Sequence, residues 1–69
     1  MTSTYQAQRW ARNGKRAKEE VWFADFAGLL GYVAEFKTTE TDDLLGVHLP
    51  SRAADAERQQ MIVLGATPN

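Results

Sequence analysis

Sixty-nine residues, 43% of them hydrophobic, with a formal net charge of −1, are enough for one small folded domain and too apolar for a chain disordered throughout. A domain of this size buries only ~60% of the surface its unfolded chain exposes. With no cysteine and a single histidine, His48, disulfides and thiolate metal sites are excluded, so a second copy or a partner protein is the expected supplement to the core.

The charge is divided unevenly. Residues 1–18 carry Arg9, Arg12, Lys15, Arg16 and Lys18 and no acid, a charge of +5, while residues 19–69 carry −6. A basic segment on an acidic chain suits a polyanion, an acidic protein surface, or the acidic remainder of the same molecule or of a second copy.

Residues 1–14 end in Asn13-Gly14, which favours positive φ. The pair suits a tight hairpin turn or the residue after a helix. A hairpin closed by those two residues places Tyr5 opposite Trp22. It also opposes Arg12 to Lys15 and Arg9 to Lys18, which destabilises a ladder. Residues 1–14 are therefore expected to form a basic arm or a short extra element, helical or irregular.

From Lys15 the helix formers Arg16, Ala17, Lys18, Glu19 and Glu20 lead into apolar residues at Trp22, Phe26, Leu29, Leu30 and Val33, the stripe of an amphipathic helix. Gly31 suits its end, which predicts a helix over about 15–30. Beyond it, Tyr32, Ala34 and Phe36 alternate with Val33, Glu35 and Lys37. After the polar TTETDD, Leu45, Val47 and Leu49 alternate in the same way. Two such runs around a polar loop predict an antiparallel β-hairpin over about 32–49 with Phe36 and Val47 on its buried face. Pro50 stops the strand, Ser51 is a good N-cap, and Gly65 and Pro68 are stop signals, so a second helix is expected over about 51–64. A short strand at MIVL, Met61 to Leu64, is the rival reading of its end. The fold class is α+β, a hairpin packed against flanking helices in a single domain over residues 1–69. The alternative, with strands added at both ends, is a ferredoxin-like β-α-β-β-α-β arrangement.

No catalytic, cofactor or metal motif emerges. His48 has no serine or cysteine partner in a recognisable pattern and reads as a solvent-facing strand residue. Glu40, Asp42 and Asp43 read as a solvated loop, because the run is shorter than a calcium loop and lacks its central glycine. Gly28 and Gly31 lack the strand and lysine of a phosphate loop. Glu19, Glu20 and Asp25 lack a cleft. The remaining features concern binding. Trp10 stands among basic residues, where an aromatic can stack on a base while charges meet phosphates. Phe23 projects away from Trp22 and Phe26 on the expected helix, and so calls for something else to cover it.

The expected function is therefore a non-enzymatic regulatory or inhibitory protein that binds another protein, as a homodimer. It would be a bacterial or phage accessory protein with no cofactor. The partner-binding residues expected are Arg9, Trp10, Arg12, Lys15, Arg16, Lys18 and Phe23. The alternative is a small nucleic-acid-binding protein using Arg9 to Lys18. No apolar run approaches the ~20 residues that cross a bilayer. MTSTYQAQRW lacks a basic start and apolar core, so a cytoplasmic protein is expected.

Overall fold

The computed structural model describes residues 4–68. The order of elements is β1 (Tyr5–Trp10), β2 (Glu19–Phe23), α1 (Phe26–Thr38), β3 (Leu44–His48), α2 (Asp55–Val63) and β4 (Thr67–Pro68). The class is α+β, as expected, with the elements distributed differently along the chain.

The hairpin is β1–β2 rather than 32–49. Its register opposes Arg9 to Glu19 and Gln8 to Glu20, one residue away from the two-residue-loop pairing. That shift replaces like-charge pairs with compatible ones. The turn around Asn13-Gly14 closes with Gly14 N–H donating to Ala11 C=O at 2.9 Å, inside a longer connection from Ala11 to Lys18. Of the expected helix over 15–30, residues 15–18 lie in that connection, 19–23 form β2, and only the part from Phe26 on is helical, as the start of α1. The residues that pointed to a helix, Trp22 and Phe26, belong to two different elements.

The first helix begins at Asp25, whose Oδ1 accepts from Gly28 N–H at 2.9 Å. From there the apolar stripe is Phe26, Leu29, Leu30, Val33 and Phe36, which carries the helix through Tyr32, Ala34 and Phe36 to Thr38. The alternation that suggested a strand is incidental to this longer 3.6-residue period. Gly31 does not end the helix. It faces open space, where its cost of ~1 kcal/mol is outweighed by the packing on either side. Gly28 has a structural use: a Cβ there would lie 3.0 Å from Phe23 Cδ1, so the glycine lets α1 sit close on β2.

The second helix is close to expectation. It starts at Asp55 rather than Ser51, because residues 50–53 form a turn in which Ala53 N–H donates to Pro50 C=O at 2.9 Å. Met61 to Val63 is helical. The end is a left-handed cap: Gly65 has φ 87, its N–H donates to Ile62 C=O at 3.0 Å, and Ala66 N–H reaches Met61 C=O at 3.0 Å. The two-residue β4 follows.

The sheet runs β2-β1-β3-β4, with β1 antiparallel to both neighbours and β4 parallel to β3. It has strands at both ends of the chain, but the order β-β-α-β-α-β is not the ferredoxin-like one. Residues opposed in the register share a face. Tyr5, Ala7, Val21, Phe23, Leu45 and Val47 fall on one side. There Tyr5, Ala7, Leu45, Val47 and Leu49 form the core with Leu29, Val33, Met61 and Ala66. Phe36 borders that core from α1 instead of from a strand, and Val47 is buried as expected. The Tyr5 hydroxyl donates to Glu57 Oε1 at 3.0 Å and ties α2 to β1. No described helix is long and apolar enough to cross a membrane.

Candidate functional site

Period-two alternation sends the other half of each strand to the opposite face, which carries no helix. In register order it holds a row of Trp22, Gln6 and His48, a row of Glu20, Gln8 and Gly46, and the pair Trp10 and Leu44. Trp22 is 53% exposed and Leu44 44%. Glu20 is engaged on this face, accepting from Gln8 Nε2 at 2.7 Å. Gly46 leaves a hollow that the Trp10 ring crosses: a Cβ at 46 would stand 2.8 Å from Trp10 Cζ3. An aromatic ring over a strand glycine restores the packing that the glycine lacks. The hollow continues into a groove of about 840 Å³ that passes round the edge of β3.

The basic segment is only partly available to a partner. Arg9 Nε lies 2.6 Å and Lys18 Nζ 3.0 Å from Asp43 Oδ2. The Arg9 guanidinium also sits over the Phe36 ring, 5.5 Å from its centroid. The Lys18 ammonium and then the Arg9 guanidinium hold the Asp43 carboxyl below the usual carboxylate range, and the bond to Asp43 raises Arg9 above its ordinary value. Part of the +5 is thus spent inside the molecule. Arg12, Lys15 and Arg16 are exposed on the β1–β2 connection and have no ion-pair partner among the described residues.

Among the residues expected to bind a partner, then, Trp10 is on the open face, Arg12, Lys15 and Arg16 form the loop beyond it, and Arg9 and Lys18 are tied to Asp43. Phe23 is not outward. It is half-buried against the core, with its ring centroid 5.7 Å from that of Tyr32. Strand alternation exchanges its role with that of Trp22, which a helical reading had placed on the packed side. No local sequence signal marks Gln6 and Gln8. Their position between two tryptophans becomes visible only once β1 is recognised as a central strand.

The acidic residues and His48 are dispersed. Glu19 accepts from the Tyr32 hydroxyl at 2.6 Å, and burial followed by that bond pushes the phenol up to about 12. Burial and then Glu57 likewise raise the Tyr5 phenol. Asp25 caps α1, and His48 is exposed on the open face, as expected for a solvent-facing strand residue. Among the described residues no group of three or more His, Asp or Glu is placed to hold a metal ion. Compared with protein-family models, curated proteins and solved structures, the chain matches none.

Proposed function

We propose that this chain is a non-enzymatic regulatory or inhibitory protein that acts by binding another protein through the open face of its sheet. The observation that carries the reading is Trp22, 53% exposed beside Gln6 on a helix-free sheet face that Trp10 and Leu44 extend. Aromatic residues with few charges make the centre of protein interfaces, and charged residues make the rim. Arg12, Lys15 and Arg16 supply a basic rim that favours an acidic partner surface. Nucleic acid is the second reading, carried by the same tryptophans. It is disfavoured because Asp43 holds Arg9 and Lys18, which leaves three cations of the basic segment for phosphates and a salt slope of only about −3 from that segment. A homodimer belongs to the proposal. Ile62 and Val63, 53% and 81% exposed at the end of α2, give a second copy a surface distinct from the sheet face.

The test is recovery from host lysate with tagged wild-type protein and the Trp22→Thr variant, alongside titration with single-stranded and duplex oligonucleotides. A protein retained by the wild type and lost with Trp22→Thr supports the reading, as does a mass of twice 7.7 kDa by light scattering for its dimer part. Oligonucleotide binding with a steep salt dependence, or retention unaffected by Trp22→Thr, overturns it.

A further inference from the structure

The groove beside β3 follows a strand edge. Its lining includes Gln6, Gln8 and Trp10 of the open face together with all five consecutive residues of β3, whose side chains alternate between the two faces, so it covers part of the open face and turns over the edge of β3. That edge is incompletely filled. β4 opposes Thr67 to Gly46 and Pro68 to Val47 and goes no further towards Leu44. Proline has no N–H to donate, so the Gly46–Thr67 pairing runs through the outward polar groups of Leu45 and Val47. The hairpin agrees. Lys18 N–H donates to Arg9 C=O, so Arg9 directs its backbone to β2, and Leu45, opposite Arg9, directs its own away from β1. The Leu45 N–H therefore faces the groove upstream of the position where β4 begins.

The walls give this edge a chemistry. Trp10 stands on the open-face side, with Phe36 and Lys37 on the other. The Lys37 ammonium lies over Gly65, 2.9 Å from where a Cβ would be, and has no ion-pair partner among the described residues. Asp43, the carboxylate in the lining, is already held by Arg9 and Lys18. The groove thus presents an unmatched cation. The other free edge of the sheet, β2, begins with Glu19 and Glu20.

We propose that the groove receives an extended segment of the partner protein, added as a strand beside Leu44 and Leu45, with an acidic side chain of that segment on Lys37. This rests on the reading of the open face as a protein-contact surface and names the form the partner takes there. Strand addition draws affinity from backbone hydrogen bonds and specificity from pockets for alternate side chains. Here those pockets are the hollow by Trp10 on one side and the Phe36–Lys37 wall on the other. An acidic segment also selects between the two edges, because Glu19 and Glu20 repel it from β2.

The probe is a displayed library of short random peptides, selected on the full chain. Enrichment of acidic, β-forming sequences is expected, with slowed exchange of the Leu45 amide on binding and roughly tenfold weaker affinity in Lys37→Glu. Lys37→Gln serves if the reversal disturbs folding, and should lose less. Three outcomes overturn the inference: peptides that leave Leu45 exchange unchanged, binding indifferent to Lys37, or no enrichment. If a lysate partner is still lost with Trp22→Thr in those cases, only the strand addition fails. If oligonucleotides bind and peptides do not, the protein-contact reading fails with it.

Discussion

The two faces of one sheet are made from the same strands and have opposite fates. On the covered face the alternate residues Tyr5, Ala7, Leu45 and Val47 are buried beneath α1 and α2. On the open face Trp22, Leu44 and His48, interleaved with them, are exposed, and the residue buried there is the polar Gln6. A face meant only for water has little use for tryptophan, and charged or hydroxylated side chains would serve it better. The contrast separates residues that hold the fold from residues that the fold holds out.

Substitution on each face is the strongest way to break that contrast. Leu29 is fully buried against the covered face. Leu29→Ala should cost ~2–5 kcal/mol, a large share of the stability of so small a domain. Trp22→Thr should change stability by about 1 kcal/mol or less, since threonine suits a strand and half of the ring is already in water. Thermal unfolding of both variants checks this. Similar losses for the two would mean that the open face is structural.

A smaller effect sharpens the account of the basic segment. Asp43 has its carboxyl pKa lowered by Lys18 and Arg9, so its contribution to stability is present above the ordinary carboxylate pKa of ~3.9 and is lost as pH falls through the folded value. Tyr32, raised to about 12, works at the other end: its contribution is present below pH ~10 and is lost as pH rises towards 12. The thermal midpoint, followed from acid to alkali, should fall in both windows. Asp43→Asn should flatten the acid limb and leave the alkaline one. An acid limb unchanged by Asp43→Asn would show that the ion pairs do not act in solution.

How far the sequence disclosed this depends on the range of the signal. The second helix was legible because its stop is local: Gly65 is the glycine that a left-handed cap requires. The hairpin signal at Asn13-Gly14 is also local, but a two-residue loop there opposes like charges and so speaks against the hairpin. The register that relieves them needs the longer Ala11–Lys18 connection, which no turn signal specifies. Trp22 and Phe26, four apart, mimic a helical stripe across a strand–helix junction at Asp25. A single helix through both residues would put Phe23 outward and Trp22 inward, the reverse of their places. The Arg9–Asp43 pair spans 34 positions and has no local trace, so the basic segment appeared more available than it is.

The most direct measurement is the map of backbone amide shifts on adding the protein partner to labelled chain. Changes should concentrate at Gln6, Gln8, Glu20, Trp22, Gly46 and His48, and extend to Leu44 and Leu45. Changes concentrated instead on the outer surfaces of α1 and α2, with the open face unmoved, would contradict contact through that face.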